Sequence, residues 1–131
     1  MADTPYRMPG TPNAPFIAGA NLSALQYRFL KPGATEGQVV TMAAATDQPI
    51  CLLLDKPDAQ GKVAETVQFG IYEVEAGAVV AWGALIQSDS VGRAITAVAT
   101  GYVCGRALQA AGAAGERIAC YIWTVNPWLK A

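Results

Sequence analysis

The chain has no histidine among its 131 residues. That removes at once the commonest general base, the base of nucleophilic triads and the commonest metal ligand. Charge is scarce as well: Asp, Glu, Lys and Arg make up 15% of the chain, against roughly 25% in an average soluble domain. Two readings of that scarcity stand side by side, a surface partly covered by other subunits and an apolar fraction of 53% inflated by Ala and Gly. The nine Lys and Arg are scattered singly and the formal net charge is −1, so there is no electrostatic footprint for gripping nucleic acid. No apolar run approaches the ~20 residues that span a bilayer, and residues 1–10 lack the basic start and apolar middle of a signal peptide. These absences predict a protein made in a cytoplasm, with neither nucleic acid nor membrane as partner.

Cysteine is limited to Cys51, Cys104 and Cys120, an odd number without metal-ligand spacing. Reduced, buried thiols are the expectation, with a Cys104–Cys120 bridge as the lesser alternative. All three lie inside apolar strand patterns without an evident basic partner, which favours small buried hydrophobes over nucleophiles. Asp47, Asp55, Asp58 and Asp89 each sit beside turn residues, where an Asp side chain accepts local backbone N–H bonds. Neither a phosphate loop nor a dinucleotide fingerprint is present, because no helix follows the glycines at 101, 105, 112 and 115. The sequence therefore predicts no enzyme, no cofactor, no metal and no small-molecule substrate.

What is present is a succession of short strand patterns. At this length one domain buries roughly two thirds of the surface its unfolded chain exposes, enough for a core without metals or disulfides. Residues 1–19 carry Pro5, Pro9, Pro12 and Pro15 with Gly10 and Gly19, which forbids helix and predicts an extended N-terminal arm. The arm also carries Tyr6, Met8, Phe16 and Ile17. It is either a disordered terminus or a segment that orders on a neighbouring subunit, and its apolar residues favour the second.

The β-domain proper is expected over 20–125. Strands are predicted at Tyr27–Leu30 before the Pro32-Gly33 turn, at Gln38–Thr41, and at Ile50–Leu54, whose unbroken apolar run implies burial on both faces. Residues 42–46 form either one turn of helix or a continuation of the strand. Val63, Glu65, Val67 and Phe69 alternate with Ala64, Thr66 and Gln68, a period of two that argues for a half-buried strand. Gly70 marks a bend before Ile71–Glu75. Val79–Trp82, Ala84–Gln87 and Arg93–Val98 follow as strands between turns. The clearest hairpin pairs Tyr102–Leu108 with Arg117–Trp123 across an Ala/Gly loop; symmetry about Gly112 would set Cys104 opposite Cys120 and Leu108 opposite Glu116. Residues 126–131 form a tail whose Pro127 ends any strand. The fold class is thus all-β, a compact sandwich or small barrel with a Pro-rich arm.

Three stretches resemble a known family. Asn21-Leu22-Ser23-Ala24-Leu25-Gln26-Tyr27-Arg28-Phe29, Ala43-Ala44-Ala45-Thr46-Asp47-Gln48-Pro49-Ile50 and Gly83-Ala84-Leu85-Ile86-Gln87-Ser88-Asp89-Ser90-Val91-Gly92-Arg93-Ala94 are similar to segments of the small tailed-phage capsid decoration (cement) proteins. Gly105-Arg106-Ala107-Leu108 followed by small residues and Gly115-Glu116 resembles the family's ending. The resemblance spans residues 21–123 and departs at Cys51-Leu52-Leu53, where a Gly and branched residues are expected. It implies a non-enzymatic protein of the virion, on the outer capsid surface, often trimeric, bridging major capsid subunits. The expected partners are then the major capsid protein and further copies of the chain, as a homotrimer. The candidate interface is Tyr6, Met8, Phe16 and Ile17 of the arm with Trp123, Pro127, Trp128 and Leu129 near the C-terminus, although the tryptophans could equally seal their own domain. The rival expectation is a module of a tail or fibre that recognises a host surface ligand.

Overall fold

The computed structural model describes residues 13–131. Two β-layers share one strand path. The first is a small closed barrel of β1 (Asn13–Ala18), β2 (Phe29–Pro32), β3 (Gln38–Thr41), β4 (Cys51–Leu53) and β5 (Val63–Val67), ordered β1-β3-β2-β4-β5 with β1 returning to β5. The second is a five-stranded sheet ordered β6-β11-β10-β7-β8. It is built from β6 (Phe69–Glu75), β7 (Leu85–Ser88), β8 (Ala94–Thr96), β10 (Gly105–Ala107) and β11 (Arg117–Trp123). A short ribbon pairs β9 (Tyr102–Val103) with β12 (Trp128–Leu129). No described residue is helical, in line with the all-β expectation.

Strand periodicity explains how the barrel has two buried sides. Leu30, Val39, Cys51, Leu53, Ala18 and Ala64 point into the barrel and form its core. Their neighbours Phe29, Leu52 and Val67 point the other way, into a second core with Val74, Ile86, Cys104, Cys120 and Ile122 of the sheet. This is why β4 is buried throughout, as its unbroken apolar run requires. Only Gln68 separates β5 from β6. There the strand leaves the barrel and enters the sheet, and its carbonyl accepts the Thr124 hydroxyl at 3.1 Å and the Val125 N–H at 3.3 Å. Two residues on, Gly70 has φ 123° and a Cβ there would meet the Tyr72 ring at 2.9 Å, so the bend after the junction excludes side chains.

Ion pairs tie the layers at one end. Arg28, just before β2, pairs with Glu75 of β6 at 3.1 Å. Arg93 lies 3.9 Å from the same carboxylate and 3.5 Å from Asp89, and the Asp89 carboxylate also accepts the Val91 and Arg93 N–H bonds that hold the turn into β8. Asp47 staples its own loop by accepting the Ala43 and Ala44 N–H bonds and the Lys31 ammonium, each at 3.0 Å. These contacts, led by the Lys31 hydrogen bond, hold its carboxyl below the usual carboxylate value.

Three expectations are corrected. Residues 13–18 belong to the barrel: β1 runs antiparallel to β5 and parallel to β3, because ladder bonds are available to it at residues without proline. Val79–Trp82 is a loop touching Ala111 through a single bridge at Val80, with Val79 and Trp82 exposed. In β5 the expected half-buried alternation is present, with Ala64 and Thr66 buried and Val63 and Glu65 exposed, until Val67 is buried as well at the end that meets the sheet. Finally, the hairpin is slipped by three residues, with Ala107 opposite Cys120 and Gly105 opposite Ile122. The Gln109 amide oxygen bonds the Ala119 N–H and the Glu116 carboxylate turns back to the Gly112 N–H, so polar side chains set an asymmetric loop. All three cysteines are free and buried. Burial raises the Cys120 thiol to about 12, and it raises Cys51 and Cys104 further, as expected of groups that stay uncharged.

Candidate functional site

Alternation along β11 points Ile118, Cys120 and Ile122 into the core and leaves Arg117, Ala119, Tyr121 and Trp123 on the outer face. On β6 the outer set is Phe69, Ile71 and Glu73. The antiparallel register sets Phe69 against Trp123 and Ile71 against Tyr121. Ala76 N–H bonds Glu116 O whereas Glu75 N–H bonds Tyr27 O, so these odd-numbered positions are the non-hydrogen-bonded pairs, whose side chains approach closest.

The result is an aromatic row open to solvent. Tyr121 and Trp123 have ring centroids 5.7 Å apart at 53°, and Trp128 stacks on Trp123 at 5.3 Å and 9°. Trp123 Nε1–H donates to Val103 O at 3.2 Å, which fixes the central ring. Ile71 is 61% exposed, Phe69 48%, Trp128 47% and Tyr121 45%. Val125 and Leu129, near the same chain end, are also exposed. Flexible charged side chains border the row: Arg106, opposite Tyr121, donates to Gly83 O at 2.7 Å, and Glu73 lies beyond Ile71. Rigid aromatics inside a polar border are the composition of a protein-binding surface.

Of the residues proposed from sequence, Trp123 and Trp128 come together on this face, with Pro127 leading into β12 and Leu129 exposed next to Trp128 in that strand. The tail, expected to hold no strand past Pro127, forms β12 immediately after it. Phe16 and Ile17 lie elsewhere, on β1: Phe16 packs against the barrel core and Ile17 is partly exposed. Tyr6 and Met8 lie outside the described residues. Sequence reasoning missed Tyr121, Phe69 and Ile71. The signal was present in β11, where Tyr121 and Trp123 alternate with Cys120 and Ile122, but β6 reads differently because Gln68 and Gly70 break its phase.

A cleft of about 490 Å³ opens at the joint between the layers, lined in part by Lys31, Asp47, Ile50, Gln68, Thr124 and Val125. Its charged groups are already paired with each other. Among the described residues no group of His, Cys, Asp and Glu is arranged to hold a metal ion, and no helix is long and apolar enough to cross a membrane.

The described residues thus form an all-β domain with a fixed aromatic row on the outer face of its sheet. The family can be stated more narrowly: the phage cement protein family model matches residues 26–122, and the chain belongs to that family, among phage structural proteins. The fold is similar to that of a solved structure described as the head fiber gp8.5 N base of bacteriophage phi29. That likeness has a TM-score of 0.66 at 19% identity, over 91% of this chain and 98% of the other. No curated protein matches the sequence.

Proposed function

We propose that the protein decorates the outer surface of a phage head, where it binds the major capsid protein and stabilises contacts between capsid subunits. One observation carries this reading: a member of the phage cement family exposes a contiguous apolar face built from Phe69, Ile71, Tyr121, Trp123 and Trp128. Burying such rings against a partner yields roughly 25 cal/mol for each Å² of apolar surface removed from water. Identical sites repeated over a shell add avidity if copies associate as homotrimers. The test is to add purified protein to undecorated expanded heads and count bound copies by gel densitometry and imaging. Trp123→Ala and Trp128→Ala should lower occupancy without unfolding the domain. Wild-type occupancy in both variants removes the aromatic row from the contact.

A second reading makes the domain the foot of a fibre rather than a cap on the shell. It is favoured by the likeness in fold to a head fiber base. Imaging the particle separates the two, since a foot carries further density above the domain and a cap does not.

A further inference from the structure

The cleft at the joint begins where the aromatic row ends. Gln68 lines it and directly precedes Phe69, while Thr124 and Val125 line it and directly follow Trp123; Phe69 and Trp123 are themselves a register pair. The opposite wall comes from the barrel, from Lys31-Pro32 at the end of β2 and from Asp47-Gln48-Pro49-Ile50 before β4. That last stretch lies in one of the family-like segments of the sequence, yet it forms no strand. Its shape is nonetheless set in advance. The Asp47 carboxylate pins the turn through the Ala43 and Ala44 N–H groups, and the buried Pro49 confines Gln48 to an extended backbone. A protein seated on the row therefore has the cleft beside it.

Among the described lining residues Lys31 and Asp47 alone are charged, and they pair at 3.0 Å. The pair leaves no net charge to select an ionic ligand, but hydrogen-bonding capacity remains. Asp47 Oδ2 takes the Lys31 ammonium and both backbone N–H groups, which leaves Oδ1 as an acceptor, and Lys31 has spent one of its three donors. The Gln48 side chain is exposed and has no hydrogen-bond partner among the described residues. Gln68 Nε2 reaches Ile50 O only at 3.5 Å, longer than a well-formed N–H···O bond. Spare donors and acceptors thus stand side by side, the pattern that a peptide group answers with one N–H and one C=O. Pro32, Pro49, Ile50 and Val125 supply apolar wall between them, and a volume of about 490 Å³ is that of a ligand site. A saccharide also carries both kinds of group, but its C–H face packs best on an open ring. None of the described lining residues is aromatic, and Trp128 spends one face on Trp123.

We propose that the cleft binds an uncharged loop of the major capsid protein, whose main-chain peptide groups are bonded by the Gln48 and Gln68 amides and by the spare groups of Lys31 and Asp47. This rests on the reading of the row as a capsid contact and names what that partner brings beside an apolar patch for the rings: a loop with free N–H and C=O groups and no charged side chain at the cleft. A charge there would have no counter-charge, because Lys31 and Asp47 already neutralise each other. The two parts do different work. The row supplies apolar area, which many surfaces could match, whereas the cleft supplies hydrogen bonds that fix register, because a polar group left unmet in it is costly. A loop held there also spans the joint, bonding the barrel wall through Gln48 and the sheet wall through Gln68.

The test mixes full-length protein with undecorated expanded heads, pellets the heads and measures the free fraction. Gln48→Ala and Gln48→Glu should each weaken binding by about tenfold, with thermal unfolding unchanged, because that amide supports nothing in the described fold. Gln48→Glu keeps the size of the side chain and removes its donors, so its loss reports hydrogen bonds given to the partner. Gln60→Ala, at an exposed amide in the turn before β5, should bind as wild type does. Wild-type binding by the Gln48 variants together with weakened binding by Trp123→Ala would overturn the cleft proposal and leave the capsid reading standing; wild-type binding by Trp123→Ala, Trp128→Ala and Gln48→Ala alike would remove both. Two further arms separate other occupants. In protein lacking residues 2–11, Gln48→Ala should weaken binding by the same factor, and disappearance of the effect would mean that the chain's own arm fills the cleft. Host cell envelopes are the second probe: if Gln48→Ala lowers binding to envelopes but not to heads, the cleft takes a saccharide and the proposal fails.

Discussion

Phe29→Ala tests whether the barrel and the sheet form one cooperative unit. Phe29 sits on a barrel strand but is fully buried among sheet residues, so its ring is a main link between the layers. A phenylalanine buries roughly 150–250 Å², which at ~25 cal/mol/Å² gives about 4–6 kcal/mol. The extended-chain reference overstates that area, and the Cβ remains, so about 3–5 kcal/mol is the expected loss, as in other Phe→Ala core changes. With a urea slope of about 2 kcal/mol/M, the midpoint falls by about 2 M. The assay is urea unfolding followed by tryptophan fluorescence and by far-ultraviolet circular dichroism. Trp82, Trp123 and Trp128 all lie on the sheet side, so a shifted fluorescence midpoint reports transmission from barrel to sheet. Phe69→Ala, which removes a half-exposed ring, is the comparison and should cost about 1 kcal/mol. A fluorescence midpoint unmoved by Phe29→Ala, or a loss no larger than that of Phe69→Ala, would refute the coupling.

Three further outcomes are expected. Asp47 has a lowered carboxyl pKa from its Lys31 and backbone partners, so its contribution is complete above the ordinary value of 3.8 and is lost as pH falls through the folded value below it. The gap in urea midpoint between wild type and Asp47→Asn should therefore close as pH drops below 3.8, and a gap that widens on acidification would contradict the sign. Gly101→Ala should destabilise by about 1–3 kcal/mol, measured by thermal unfolding. A Cβ there runs into the buried Gln87 amide, whose oxygen accepts the Val98 N–H at 2.7 Å. Cys51, Cys104 and Cys120 should be silent to a thiol reagent in the native protein and all three titrate after unfolding in denaturant; early labelling of Cys104 or Cys120 would mean that the sheet core opens locally.

Much of the fold was legible from composition and period. Gln38–Thr41 and the double burial of Cys51–Leu53 follow directly from their patterns. The apolar area that the sequence placed near the C-terminus takes the form of Trp128 stacked on Trp123, with Trp128 half exposed. Other features depend on long-range pairing that local sequence does not encode. Proline density marks residues 1–19 as extended, yet whether such a segment finds a ladder depends on β5, some fifty residues away. The hairpin slip is set by where Gln109 and Glu116 find backbone donors. Val79–Trp82 has strand composition, but it makes only a single bridge, with Val80 in the core and Val79 and Trp82 left outside. Phe69 and Ile71 were hidden because Gly70 shifts the bend of β6, so only the paired register with Tyr121 and Trp123 reveals that they share a face.

The passage from β5 to β6 through Gln68 has a mechanical meaning. A pull on the aromatic row along its strands is resisted first by the seven register pairs of β6 with β11, loaded in shear so that the bonds between them share the force. What reaches the end of β6 passes without slack into β5, which is itself bonded on both edges inside a closed barrel. No loop lies in that line to stretch. The domain is stiff along the direction of its longest strands and weaker across them, so a partner that strains it along β6 and β11 meets the most resistance.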